Sequence, residues 1–370
     1  VQHLSTIHSY NEEEPRAIPL SSLPGLWNLR IGARMNRCFL SLPLLLVCVL
    51  VSTGKTRAED PADVSIRVGT GKIDFLAGKE LVSTCLVESD VAKPYLWPLI
   101  GPGGVPLSRA WPMKENEPGE TKDHPHQKSA WFCHGDVIPE GIALKDRIKG
   151  VEGVDFWSEN QGHGKIVCSK VDGVKTAKNH GQVTLHNEWQ TAEGTRVLDE
   201  TRVIHLYNFG ETNLFIFEID LSAIVCPITF GDTKEGSFGI RINDSITEKS
   251  GKGKLENADG KVTEKECWGQ QSKWCDYSGP IKDRVVGLAI LDDPRNKYPA
   301  CWHSRAYGLM AANPFGRAVS GFPAVKDLKE PARIAKGEHL HLRYGLLLHP
   351  GDAREGKVAD YFDRFVKYRE

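Results

Sequence analysis

Asp123 to Asp136 reads DHPHQKSAWFCHGD, a run of side chains able to bind metals and move protons. His124 and His126 flank Pro125, which disfavours helical backbone at the residue before it. The spacing therefore predicts an extended segment with both imidazoles on one face. Such a pair can serve one metal ion or one polar substrate. A strand over residues 131–135 would turn Trp131 and Cys133 to one side, and Phe132 and His134 to the other. His124, His126 and His134 are candidate acid/base groups, or the ligand set if a metal is bound. Asp123 is a candidate substrate-binding residue beside them. No motif specifies a cofactor, and a metal ion is the one that these histidines admit.

Three further stretches carry candidate chemistry. Residues 154–163 (VDFWSENQGH) mix carboxylates, aromatics and a histidine, and Trp157 is placed to stack on a ligand or to pack in a core. Residues 230–241 (FGDTKEGSFGIR) offer Asp232 and Glu235 as paired carboxylates for acid/base work. Lys234 between them is expected to hold their pKa values down, favouring binding over proton donation. The glycines there do not form a phosphate loop, because no Gly-Lys-Ser/Thr follows. Residues 268–316 bring Trp274, Asp276, His303, Arg305, Tyr307 and Asn313, the aromatic and planar polar types that bind sugars. A serine nucleophile has no Gly-x-Ser-x-Gly elbow.

The elements that must position these groups read as strands. Alternation and β-branched or aromatic enrichment predict strands at 64–68, 72–76, 81–87, 164–171, 182–190, 195–208, 213–224, 239–242, 284–291 and 339–349. A hairpin is expected at Gly210-Glu211-Thr212. Only residues 352–370 show a helical period, with Val358, Phe362 and Phe365 on one face and Asp352 as a cap. Many strands without βα alternation predict an all-β fold, a large sandwich of some fifteen or more strands with a C-terminal helix. Residues 96–128 form a long Pro/Gly-rich loop of the kind that carries function.

Met35, Arg37 and the apolar run Phe39 to Val51 read as a signal peptide over residues 35–58, too short to span a bilayer comfortably. Residues 1–34 read as a leader outside the mature protein, or as a disordered extension. Residues 59–370 then form a single exported domain, periplasmic or extracellular. Of 47 Lys+Arg and 48 Asp+Glu, residues 1–58 hold six and three, leaving 41 basic against 45 acidic. With no basic run, nucleic acid is not an expected partner. No later apolar run is long enough for stable membrane insertion of the mature chain. Its seven cysteines show no disulfide framework, and Cys267 and Cys275 are the pair open to bridging. The absence of Cys-x-x-Cys speaks against a thiolate zinc site.

Several phrases together, KPYLWPLIGPGGVPLSRAWP, DHPHQKSAWFCHGDV, VDFWSE, FGDTKEGSFGIR, WCDYSGP, WHSRAYGLMAANPFG and HLRYGLLLHPGD, resemble the PmoA-like family of exported bacterial proteins over roughly residues 64–352. That family carries the label methane oxygenase and is similar to the galactose-mutarotase-like supersandwiches, which mostly handle carbohydrates. The resemblance implies that sandwich fold. The leading expectation is binding or modification of a carbohydrate, a small molecule or oligosaccharide, in a pocket lined by His, Trp and carboxylate groups. A metal-dependent oxygenase and a non-catalytic carbohydrate-binding module are the alternatives.

Overall fold

The computed structural model describes residues 60–368, so the expected leader and signal peptide lie outside the described residues. In chain order the strands are β1 Val64–Gly69, β2 Lys72–Ala77, β3 Glu80–Leu86, β4 Tyr95–Leu96, β5 Ala130–His134, β6 Val137–Pro139, β7 Lys165–Ala177, β8 His180–Gln190, β9 Arg196–Phe209 and β10 Thr212–Ser222. They continue as β11 Ile228–Phe230, β12 Gly236–Arg241, β13 Lys254–Asn257, β14 Trp274–Ile281, β15 Arg284–Asp292, β16 Cys301–Ser304, β17 Leu309–Asn313, β18 Ala332–Ile334 and β19 His339–Pro350. A single helical turn, α1 Glu264–Cys267, precedes β14, and α2 Val358–Lys367 closes the described chain.

Two eight-stranded sheets face each other. The first runs β1-β2-β3-β4-β5-β12-β17-β16, the second β13-β14-β15-β19-β10-β9-β8-β7, and a small third sheet joins β18, β11 and β6. Every large-sheet pairing is antiparallel, so this is the expected all-β sandwich with a C-terminal helix. Aromatic pairs stitch the sheets together across the core. Phe75 meets Phe215 at 5.4 Å, Phe132 meets Trp189 at 6.0 Å, and Phe238 stacks on Tyr344 at 5.3 Å.

The second sheet is buried on both faces at its centre, which explains its continuous apolar runs. In β10, Phe215, Phe217, Ile219 and Leu221 face the inter-sheet core, while Leu214 and Ile216 face α2. Val358, Phe362 and Phe365 of α2 cover that outer face, as the helical period predicted. Asp352 does not cap the helix. It accepts the Arg354 and Glu355 amides in the preceding turn, and Lys357 in left-handed geometry starts the helix instead. The hairpin between β9 and β10 turns at Gly210 (φ 82°), a conformation in which glycine is unstrained. Among the described residues the cysteines are free thiols, and Cys267 Sγ donates to the Lys261 carbonyl. No described helix is long and apolar enough to cross a membrane.

Candidate functional site

One row of cross-strand partners carries His303 to a cleft on the outer face of the first sheet. Trp131 of β5 pairs with Gly239 of β12, Gly239 with Ala311 of β17, and Ala311 with His303 of β16. Directly opposed residues of antiparallel strands share a face, so Trp131 and His303 stand on the same side with two small residues between them. A Cβ on Gly239 would lie 2.8 Å from the Trp131 ring and 3.2 Å from that of Trp157. The neighbouring row, Phe132, Phe238, Ala312 and Trp302, turns the other way into the core.

Loops at the strand ends raise the walls. The cavity, about 250 Å³, is lined by His124, His126, Gln127, Trp157, Ser158, Lys234, Glu235, His303, Arg305 and Tyr307. Seven candidates separated by up to 183 positions in sequence thus meet in one place: His124, His126, Trp157, Glu235, His303, Arg305 and Tyr307.

The loop before β5 supplies the two histidines, but not as an extended run. His124 has φ 46°, and the Gln127 amide donates to the His124 carbonyl at 3.0 Å, so residues 124–127 form a β-turn. Proline fits the second position of such a turn, and the local hydrogen bond overrides the extended bias. The turn still aims both rings at the cleft. They lie edge to face at 5.8 Å, and His124 stacks on Tyr307 at 4.9 Å.

Two buried arginines hold this turn. Arg109 and Arg241 each donate to Asp123 Oδ1, at 2.6 and 2.7 Å. Arg109 also donates to the carbonyls of Trp111 and His124, and Arg241 to Gln127 Oε1 at 2.8 Å. Burial would raise the Asp123 pKa, but the two guanidiniums hold it below the usual carboxylate value. Asp123 is therefore the anchor of the loop rather than a lining residue.

The 155–159 loop is fixed from two sides. Asp155 accepts the Trp157 and Ser158 amides, and Glu159 receives Lys93 at 2.8 Å and Lys128 at 2.6 Å. Trp157 is only 1% exposed and packs on Trp131 at 5.1 Å, so it is a wall seated in the core rather than an open stacking platform. Tyr307 has His124 on its ring and the Arg241 guanidinium 4.6 Å from its centroid, and its hydroxyl accepts from Gln127 Nε2 at 3.4 Å.

Glu235 is positioned by a close backbone crossing. The Gly135 amide donates to the Glu235 carbonyl at 2.7 Å, and a Cβ on Gly135 would lie 2.8 Å from Glu235 Cβ. Gly135→Ala is expected to cost about 1–3 kcal/mol in urea unfolding, because the clash is with backbone and Cβ atoms that cannot rotate away. It should also displace Glu235. Wild-type stability would show that the crossing tolerates a methyl group.

The remaining candidates do not reach the cleft. His134 shares the core-facing parity of Phe132, packs on Phe230 and Phe315, and bonds the Gly231 carbonyl at 2.8 Å. Asp232 accepts the amides of Arg317 and Ser320, and so closes a loop. Asn313 positions the 233 loop, donating to the Thr233 carbonyl at 2.9 Å and accepting the Phe315 and Gly316 amides. Trp274 and Asp276 belong to the second sheet. Trp274 packs on the cluster under α2, and Asp276 is buried against His349 at 2.7 Å. The set His124, His126 and His134 does not assemble, and among the described residues no three His, Cys, Asp or Glu side chains are placed to hold a metal ion.

The cleft's electrostatics follow from burial and surrounding cations. Burial, with Lys93 and His124 nearby, pushes His126 down to about 3. Burial, with Arg305 and Lys234 nearby, pushes His303 down to about 3. Both imidazoles are neutral at physiological pH. Burial raises Glu235 above the ordinary carboxyl value and outweighs Lys234, the reverse of the sequence expectation. Arg305 donates through Nη1 to Glu264 of α1 at 2.9 Å, and its carbonyl accepts the Tyr277 hydroxyl at 2.8 Å. Gln127, Ser158 and Lys234 line the cleft without having been singled out for it. All three lay inside the motifs, but nothing in their spacing marked them as lining residues.

No curated protein matches the chain. Among solved structures it is similar to a Glycoside Hydrolase Family 97 enzyme from Pseudoalteromonas sp. strain K8 (11% identity, 73% of this chain and 34% of that one, TM-score 0.35). It is also similar to a GH36 α-galactosidase from Geobacillus stearothermophilus (8%, 79% and 41%, TM-score 0.35). A third is galactose 1-epimerase from Lactobacillus acidophilus NCFM (9%, 78% and 100%, TM-score 0.33). The chain spans about a third of the length of the first of these. The model of the Family of unknown function (DUF6807) matches residues 73–363, and the chain belongs to that family.

Proposed function

We propose that the cleft binds a carbohydrate and moves a proton on it. The observation that carries this reading is the meeting of Glu235, His126 and His303 in one small cavity whose other lining groups are nearly all hydrogen-bonding. About 250 Å³ is below the roughly 300–1,000 Å³ of drug-sized sites, which fits a single sugar ring. Neutral imidazoles can both donate and accept, as hydroxyl groups require. Glu235 is the one carboxyl that lines the cavity, and burial raises its pKa above the ordinary carboxyl value, which suits it to carry the proton. Hemiacetal opening is the simplest reaction these groups serve. Glu235 takes the anomeric hydroxyl proton as the ring C–O bond breaks, and Arg305 and Lys234 stabilise the negative charge developing on the ring oxygen.

The oxygenase reading that goes with the PmoA-like resemblance needs His124 and His126 to share a metal with a third ligand. His134 is bonded elsewhere, and the described donors do not converge, so the donor geometry favours the carbohydrate reading.

The test is saturation-transfer NMR with a panel of mono- and oligosaccharides, together with exchange spectroscopy between anomers. We expect transfer to at least one sugar, lost in His126→Ala/His303→Ala. Binding without faster anomer exchange would leave the non-catalytic binding module. Failure of every sugar to bind would remove the carbohydrate reading.

A further inference from the structure

We infer that the cleft selects an anionic sugar, such as a uronate, over its neutral counterpart. This rests on the carbohydrate reading above and adds the charge of the ligand.

The inference comes from how the cations around the cleft are paired. Lys93 and Lys128 share Glu159, Arg109 and Arg241 share Asp123, and Arg305 holds Glu264. Lys234 lines the same cavity, is exposed, and among the described residues has no carboxylate within ion-pair distance. The Arg305 guanidinium uses only Nη1 on Glu264, and its Nε and Nη2 groups have no acceptor among the described residues. Glu235 is the one carboxyl lining the cavity, so a single acidic group faces the two cations.

Both His126 and His303 are held neutral partly by neighbouring cations, which is how a site at positive potential treats an imidazole. An ammonium and a free guanidinium edge beside one ring-sized space recognise a carboxylate or phosphate on that ring. The larger cavity on the outer face of the second sheet, about 500 Å³, offers no such excess. There Arg295 and Arg343 share Asp293, and Arg343 also pairs with Glu218.

The full chain is titrated with galacturonate, galactose 6-phosphate and galactose, and with glucuronate and glucose, followed by tryptophan fluorescence and calorimetry. One of the anionic sugars is expected to bind about tenfold tighter than its neutral parent, a preference of about 1.4 kcal/mol. The carboxylate and phosphate arms tell the two anions apart. Lys234→Gln and Arg305→Gln should each remove most of the preference, and added salt should reduce it. Equal or tighter binding of the neutral sugars overturns the charge inference and leaves the carbohydrate reading standing. Failure of both classes to bind overturns both. A preference unchanged in both variants places the selectivity outside this cleft and also overturns the inference.

Discussion

Glu235→Gln lowers the rate of sugar anomer exchange by about 10²–10⁴-fold, with binding little changed. The amide keeps the size and one acceptor oxygen of the carboxyl, so the Gly135 crossing and the cleft walls stay in place. What it removes is the carboxyl that carries the proton. The pH profile carries the same signature. If the carboxylate form accepts the proton, activity rises with pH through the raised Glu235 pKa, above the ordinary value of about 4.3. His126 and His303, both down at about 3, are already neutral over that range and add no second limb. A limb near the ordinary histidine value of about 6.5 would assign proton transfer to an imidazole instead. Glu235→Gln with wild-type exchange would end the acid/base reading.

Asp123→Asn is expected to destabilise the fold by about 3 kcal/mol in urea unfolding and to weaken ligand binding at the cleft. Removing one partner of a buried ion pair typically costs roughly 3–5 kcal/mol, because the other charge is left uncompensated. Here two guanidiniums, each 0% exposed, share the one carboxylate, while Asp123 itself is 40% exposed and partly screened, which favours the lower end. Burial and the facing Arg241 already push Arg109 below its ordinary value, and loss of Asp123 leaves the two cations facing each other.

The pH dependence has a definite sign. A carboxylate whose folded-state pKa is depressed stabilises the fold above its unfolded pKa, and that contribution is lost as pH falls through the folded value. The wild type therefore loses this part of its stability on acidification, and the variant has none of it to lose. A variant within about 0.5 kcal/mol of wild type at neutral pH would mean that the backbone carbonyls around Arg109, and the Gln127 and Thr121 side chains beside Arg241, satisfy both guanidiniums unaided.

The sequence by itself determined the class of fold and most of its strands, because alternation with period two records which face of each strand is buried. The Leu214 to Ile219 run was legible as a largely apolar strand and the Val358, Phe362 and Phe365 spacing as a helical period, each being a local pattern that the packing kept. Parity also bears on His134. The strand reading placed it with Phe132, and since Phe132 faces the core, His134 does too.

Which of the chemically able residues would meet was settled only by the tertiary structure. Register aligns Trp131, Gly239, Ala311 and His303 across four strands, and such pairing joins residues up to 172 positions apart with no local trace. The same holds for Asp123, which looked like a ligand-binding carboxylate until Arg109 and Arg241 enclosed it. Glu235 shows the electrostatic side of this. Its sequence neighbour Lys234 argued for a lowered pKa, but burial dominates, and burial is a property of the assembled cleft. Local sequence records the side chains and the face each strand buries, whereas desolvation and long-range pairing exist only once the sheets have closed on one another.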